Sequence, residues 1–252
     1  MKNPEWYKEG WTLEVKNQSW VEDTINQIDF IIKTLKLKGS ERILDLACGF
    51  GRHSLYLGKL GYDVTGIDIT KDYIIDAQKE AKKMGINAKF IHEDIRNISF
   101  FEEYDVVLNL ADGAIGYLEN DEENLRIFDV ISKTLKTGGK HFMDICNADH
   151  AEHYFPKKHW EIGEKSLALA QFDWDTNTRR MRYTGWDIPY GEIAKKPGIN
   201  IENGDPIRLY SLEELKNIFG QRRMKIISSF SNYYGKELTN KEIQLMVYSI
   251  KE

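Results

Sequence analysis

The sequence predicts a doubly wound α/β protein whose mostly parallel, seven-stranded sheet carries an inserted antiparallel β cap. Three observations predict it. Short apolar strands alternate with amphipathic helices as far as residue 145. A polar–apolar alternation then replaces that rhythm over 166–187. Two further strand-like segments, 224–232 and 244–250, close the chain after one more helix.

Each element has its own warrant. Apolar residues at helical spacing run over 25–37 (INQIDFIIKTLKL), and Gly39 is placed to end that helix. Residues 42–46 make a first strand, 55–60 continue as a helix that Gly61 terminates, and 63–67 (DVTGI) form the second strand. Thr70 is positioned to cap a helix over 71–84, with Gly85 as its stop. Residues 88–92 are a third strand, and 104–110 (YDVVLNL) a fourth whose near-continuous apolar run asks for cover on both faces. Asn120 with Glu123 reads as a capping box for a helix through Leu135, and Gly138-Gly139 turns the chain into a fifth strand, 140–145.

The next stretch breaks the rhythm. Segments 166–174 and 179–187 alternate around a turn-like Asp175-Thr176-Asn177, giving an antiparallel hairpin that 206–210 joins. Residues 191–205, rich in Gly, Pro, Asn and Lys, read as a loop. Ser211 with Glu214 opens a helix to Phe219. An insertion at the carboxyl edge of a parallel sheet sits where such folds bind ligands, so a substrate cap is one use for it. A structural appendage, or contact between two copies as a homodimer, is the alternative.

Composition narrows the function. The 252 residues carry a net charge of −5, with 41% hydrophobic and 30% charged residues, which suits a packed core and disfavours nucleic acid as a partner. Lys195-Lys196 and Arg222-Arg223 read as solvated loop and helix-end charges. No apolar run nears the roughly 20 residues of a membrane helix. Two cysteines, Cys48 and Cys146, fit a reduced, cytoplasmic protein. No metal-ligating set stands out.

The informative stretch is ILDLACGFGRH, residues 43–53, where a strand runs into a glycine turn. Such a turn lets a nucleotide-like ligand lie against bare backbone. The dinucleotide pattern G-x-G-x-x-G is incomplete, because Ser54 stands where the third glycine belongs. Asp45 precedes the glycines, where a carboxylate would repel a pyrophosphate but suit a cationic ligand. Asp68 ends the second strand, where it can take two ribose hydroxyls, and Asp94 follows the third, within reach of an adenine amine. Amine, ribose and adenine without phosphate describe S-adenosylmethionine.

ILDLACGFGRH, GYDVTGIDIT, HEDIRNISF and YDVVLNLADGAIGYL, in this order and spacing, resemble the class I S-adenosylmethionine-dependent methyltransferases, which have a Rossmann-like sheet. Within them the chain is similar to small-molecule enzymes with an antiparallel sheet after the fifth strand, such as amino-sugar N-methyltransferases. Four regions are expected: an N-terminal helical lid (1–38), a cofactor-binding core (39–147), an inserted substrate cap (148–209) and a return to the core sheet (210–252). The resemblance implies that Asp45, Ala47, Gly49 and Gly51 line the methionine portion, with Ala47 where the family most often has glycine. Arg52 would reach the methionine carboxylate, Asp68 would hold the ribose, and Ile69 would pack on the adenine. Asp94 and Ile95 would take the adenine edge, and Leu110 and Ala111 would flank the cofactor.

An activated sulfonium methyl asks the protein mainly for alignment and exclusion of water. An amine acceptor needs somewhere for its proton to go; a hydroxyl needs a real base. Tyr117 after the fourth strand is the expected substrate or cofactor contact, and His153, ahead of His150 and His159, the expected proton acceptor. Surface histidines in a polar loop are the plainer account of all three. Trp6, Tyr7, Trp11 and Trp20 crowd the start of the chain, and cations are attracted to aromatic faces. They are expected to form a lid with Tyr7 or Trp11 closing the site, core packing being the alternative. The expected reaction is methyl transfer to a small molecule, nitrogen ahead of oxygen. A peptide or RNA acceptor is a second reading, weakened because Asn109-Leu110-Ala111-Asp112 replaces the Asn-Pro-Pro-aromatic signature of base-amine methyltransferases. A cofactor-binding module without transfer, and a nicotinamide oxidoreductase, complete the alternatives.

Overall fold

A computed structural model of the chain describes residues 5–163, 166–195 and 204–252; Lys196 and most of the expected 191–205 loop lie outside them. Strands β1 (Arg42–Leu46), β2 (Asp63–Asp68), β3 (Lys89–His92), β4 (Tyr104–Asn109) and β5 (Leu135–Cys146) pair in parallel, in the order β3-β2-β1-β4-β5. Two last strands extend that edge: β11 (Gln244–Lys251) runs antiparallel to β5, and β10 (Met224–Phe230) antiparallel to β11. Seven strands result, as the sequence predicts.

Alternation within the strands builds two cores. Ile43, Val106, Leu108 and Phe142 face helices α1 (Thr24–Leu35) and α2 (Arg52–Lys59), meeting Ile28, Ile31 and Leu57. Leu44, Val107, Met143 and Val247 face the opposite way, against Ile127 and Phe128 of α4 (Asp121–Thr134) and Leu215 and Phe219 of α6 (Leu212–Gly220). Both faces of the sheet are thus covered, which explains the uninterrupted apolar run of β4. Each side chain buried this way contributes about 1.5–3 kcal/mol.

The caps refine the sequence reading. Ser211 and Glu214 form a complete capping box. Asn120 accepts from the Glu123 N–H, but the Glu123 carboxylate turns to Arg96, so only half of that box exists. Thr70 precedes α3 (Lys71–Met84) without capping it; its hydroxyl bonds Asp68 instead.

After β5 comes α5 (Ala148–Tyr154), then a separate antiparallel sheet of β6 (Lys157–Ile162), β7 (Ser166–Asp175), β8 (Arg180–Pro189) and β9 (Asp205–Arg208), in that order. Its inner face sets Phe172, Trp174, Met181 and Ile207 on Ala148 and Ala151 of α5. On the outer face Trp160, Leu169 and Trp186 lie abreast, with Ile162, Leu167 and Ile188 in the next row. Strand β6 is missing from the sequence reading because all six of its residues are exposed at an edge, so no burial pattern marks it.

One glycine sets the spacing beneath the site. Gly51, at φ 79°, would place a Cβ 2.7 Å from the Phe90 ring and 3.1 Å from Ala77. Gly51→Ala should therefore cost about 2–4 kcal/mol, from overpacking together with left-handed strain. Urea unfolding measures it, and a midpoint equal to wild type would contradict this role.

Candidate active site

The cleft lies across the carboxyl edge of the parallel sheet, and an aspartate stands at or near the end of each of its five strands. Asp45 belongs to β1, Asp68 ends β2, Asp94 follows β3, Asp112 follows β4 and Asp144 lies in β5. Leaving β1, the chain turns left-handed at Ala47 (φ 56°) and again at Gly49 (φ 57°) and Gly51. Asp68 fixes this turn: one carboxylate oxygen accepts from the Gly49 N–H at 2.8 Å, the other from the Thr70 N–H at 2.8 Å.

Asp45 is 1% exposed, and the Ser54 hydroxyl donates to it at 2.6 Å. Burial pushes its pKa up to about 7, and the charge of Asp68 pushes the same way against Ser54 and Arg52. Burial also raises Asp68 and Asp144 above the ordinary carboxylate range. Arg52, the first residue of α2, donates to Thr24 Oγ1 and Gln27 Oε1, both at 2.7 Å, and lies 5.0 Å from the Trp20 ring. His53 shares Gln27 Oε1 at 2.8 Å, and burial drives its pKa well below the usual value. Because Arg52 also donates to that oxygen, His53 Nε2 must carry its proton and the ring is neutral.

Beyond β4 the chain does something that ordinary residues resist. Ala111, Asp112, Gly113 and Ala114 all have φ between 51° and 67°. Left-handed backbone costs about 1 kcal/mol or more per non-glycine residue, so such a run persists only where its surroundings impose it. The Asp112 N–H donates to the Asp144 carbonyl at 2.8 Å, and the Asn109 side chain donates to the Gly113 carbonyl at 3.1 Å. The turn delivers Tyr117 to the cleft with its hydroxyl donating to Asp112 Oδ2 at 2.8 Å. The Cys146 N–H donates to Asp112 Oδ1 at 3.1 Å. At the far end, Gly116 meets β9 through the Arg208 N–H at 2.8 Å, and a Cβ there would overlap the Arg208 carbonyl.

A strap formed by residues 6–21 lies over this cleft in three 3-10 turns, Trp6–Lys8, Leu13–Asn17 and Ser19–Val21. Trp11 lies parallel to Tyr117 with ring centres 6.1 Å apart, and Trp6 is tilted over it at 5.3 Å. Tyr73 donates to the Thr12 carbonyl at 2.9 Å, and Lys16 pairs with Asp76. Tyr7 donates to Glu119 at 2.8 Å and accepts from Arg96 at 3.2 Å. Arg96 is the hub: it is bidentate to Asp94 and also pairs with Glu119 and Glu123. Burial alone would raise the Asp94 pKa, but the hydrogen bonds from Arg96 hold it below the ordinary range.

Of the residues singled out from the sequence, Tyr7, Trp11, Asp45, Ala47, Gly49, Arg52, Asp68, Ile69, Asp94, Ile95, Leu110, Ala111 and Tyr117 line one cleft. Two do not. Gly51 is absent from the lining because it is taken up in packing α2 against Phe90 and Ala77, the task the third glycine performs in dinucleotide folds. His153 is exposed in the last turn of α5, with Nδ1 on the Asp149 carbonyl at 2.7 Å, and does not reach the cleft. His150 is buried against Tyr154 with Nδ1 on the Asn240 carbonyl, and it too is absent from the lining. The sequence reading missed Asp112, Asp144, Arg96, Gln27 and His53. An acid just past a strand end was the available signal for Asp112.

Sheet order, the single antiparallel strand β11 and the glycine turn beneath a row of acids define a class I methyltransferase fold. Residues 43–139 match the family described as methyltransferase domain, and the chain has the Rossmann-like fold of S-adenosylmethionine-dependent methyltransferases. It is 30% identical over 129 residues to a putative methyltransferase of Geobacillus sp. (strain WCH70), covering 50% of this chain and 52% of that protein. It is 29% identical over 170 residues to a glycine/sarcosine N-methyltransferase of Aphanothece halophytica, covering 66% and 63%. The chain thus spans about half to two thirds of these curated relatives. A crystal structure of an S-adenosylmethionine-dependent methyltransferase from Clostridium acetobutylicum superposes with a TM-score of 0.73 at 15% identity, covering 94% of this chain and 96% of that one.

Arg96→Met would leave Asp94, Glu119 and Glu123 without their shared cation. It should cost on the order of 3 kcal/mol and release the strap. Chymotrypsin cleavage among Trp6, Tyr7, Trp11 and Trp20 should accelerate by more than about tenfold; an unchanged rate would contradict the hub.

Proposed function

We propose that this protein transfers a methyl group from S-adenosylmethionine to a small-molecule acceptor, with an amine nitrogen ahead of a hydroxyl oxygen. One observation carries the reading: the cleft is lined by Asp45, Asp68 and Asp94 against one guanidinium, Arg52, among the described lining residues. Such a site repels a diphosphate and attracts a ligand with two positive centres and one carboxylate. When bound, the donor supplies an electrophilic methyl on a sulfonium sulfur.

The protein's own residues bind, orient and exclude water. Asp45 accepts from the ammonium of the methionine portion, and Arg52, held by Thr24 and Gln27, faces its carboxylate. Asp68 takes the ribose hydroxyls while it keeps the Gly49 turn in place. Ile69 and Ile95 enclose the adenine ring, and Asp94, whose oxygens Arg96 holds in place, lies at the edge that carries its amine. Leu110 and Ala111 hold the donor from the β4 side. Residues 1–38 serve as a lid, with Tyr7 and Trp11 closing the methionine end, and 148–209 serve as the cap over the acceptor. Tyr117 stands where lid, cap and donor meet. The glycine/sarcosine enzyme among the relatives acts on nitrogen, which supports an amine acceptor here. The free thiols Cys48 and Cys146 support a cytoplasmic setting.

Asp68→Ala should weaken S-adenosylmethionine binding by about 1.5–3 kcal/mol, the worth of hydrogen bonds to a charged group. Calorimetric titration measures it, and an unchanged dissociation constant would mean that the ribose lies elsewhere. Asp45 adds a pH dependence. Ionised above its pKa of about 7, it attracts the ligand ammonium; protonated below it, it does not. Affinity should therefore be full at pH 8 and fall by up to about tenfold per unit below pH 7. A flat profile from pH 8 to 6 would remove Asp45 from the ammonium site.

A further inference from the structure

Behind the residues that line the cleft stands an acid with no part in the donor site. Asp112 is half-buried, and its two oxygens accept from the Tyr117 hydroxyl and the Cys146 N–H. The groups that face it are the Tyr117 phenol from its own segment and Asp144 and the Cys146 thiol from β5. Asp144 is itself engaged by Tyr233 at 2.6 Å, by Gln244 and by the Ala111 N–H. Tyr117 is approached in turn by Cys146 and by Asp205 of β9, and both Trp6 and Trp11 pack against its ring.

This arrangement fixes the direction of the phenol. Its proton points at Asp112, so the lone pairs of its oxygen remain to accept a hydrogen bond. Tyr117 is held as a neutral phenol, its pKa driven far up by burial and then by Asp112. A ligand that meets it is best served by bringing an N–H or O–H donor. The neighbouring charge discriminates further, because a cation is stabilised beside Asp112 and Asp144 while a neutral hydroxyl gains little. The four-residue left-handed turn has a local consequence too. Without it Asp112 could not hold both the Cys146 N–H and the Tyr117 hydroxyl, so the strain serves this pair.

On the methyl-transfer reading of the cleft, we propose that the acceptor binds as a protonated amine against the Tyr117 hydroxyl and that Asp112, behind Tyr117, stores the proton its nitrogen gives up. The ammonium passes one proton to the Tyr117 oxygen as Tyr117 hands its own to Asp112 Oδ2, leaving a neutral amine, a phenol and a carboxylic acid. The freed nitrogen lone pair then forms the bond to the methyl carbon while the carbon–sulfur bond breaks. Its electron pair stays on sulfur, giving a neutral thioether and a protonated N-methylamine. Charge balances, two cations and one carboxylate becoming one cation and a neutral acid. Asp112 acts through Tyr117 and is a positioning residue; Tyr117 touches the acceptor. Burial, with Asp144 pushing the same way, raises Asp112 to about 6, so it is ionised and ready at neutral pH. The sign follows: kcat is full above that value and falls as pH drops through it.

The test uses the full chain, with S-adenosylhomocysteine as the donor-site probe. Cyclohexylamine, a cation at pH 7, and neutral cyclohexanol probe the acceptor site. Asp112→Asn keeps the size of the side chain, and asparagine tolerates the left-handed backbone. It should leave S-adenosylhomocysteine affinity within about twofold and weaken cyclohexylamine at least about tenfold. Cyclohexanol should bind equally to both proteins. With a panel of primary amines including glycine, ethanolamine and cyclohexylamine, Asp112→Asn and Tyr117→Phe should each lower kcat at least about a hundredfold. Asp112→Asn should also abolish the acid limb near pH 6, and Asp112→Glu should restore part of the rate. Equal loss of both cyclohexyl probes, a kcat within about fivefold with the limb intact, or no methylation of any amine by a chain that binds S-adenosylhomocysteine overturns the relay. Failure to bind S-adenosylhomocysteine is a different result and overturns the methyl-transfer reading itself.

Discussion

Like charge gathered at one edge of a sheet is the constraint from which the rest of this structure follows. Parallel strands place their carboxyl ends side by side, and here each of the five carries an aspartate there. Beyond burial, Asp68 raises the proton affinity of Asp45, and Asp144 raises that of Asp112. Hydrogen-bond donors make the crowding tolerable: Ser54 on Asp45, the Gly49 and Thr70 N–H groups on Asp68, Tyr233 and Gln244 on Asp144. What those donors leave uncompensated is negative charge, which a positively charged ligand neutralises.

The irregular backbone serves the same rim. Ala47 and the run from Ala111 to Ala114 adopt left-handed conformations that L-residues avoid, and both border the cleft. Rigid packing imposes them: Gly51 brings α2 against Phe90, and Gly116 locks the second segment to β9 of the inserted sheet. The strap adds a mobile-looking element to a fixed site only in appearance, for its anchors are the site residues. Arg96 joins Tyr7 to Asp94, Trp20 covers Arg52, and Trp11 covers Tyr117. Any ligand that shifts those residues also shifts the strap.

Much of this is legible in the amino-acid sequence. Short apolar runs and period-3.6 patterns located the main sheet and its helices, because burial on both faces leaves strong apolar signals. The glycine turn with Asp45, Asp68 and Asp94 was legible because strand ends are marked locally. The remainder depends on neighbours distant in sequence. Asp112 owes its surroundings to β5, some thirty residues on; Arg96 owes its role to Tyr7, Glu119 and Glu123, which no local pattern links to it. Gly51 read as a ligand contact because spacing does not show which neighbour a glycine meets. His153 read as a base because position after a strand does not reveal the side of a short helix. Strand β6 escaped because an exposed edge leaves no alternation to read.

On the proposed function, this rim of carboxylates selects a cationic adenosyl ligand over an anionic one. Competing titrations of S-adenosylmethionine and ADP-ribose at pH 8 test it most directly, since both carry adenosine and differ in the charge beyond it. The sulfonium should be preferred at least about a hundredfold, the worth of one lost charge-assisted contact and one repulsion. Equal affinity, or tighter binding of the diphosphate, would contradict it.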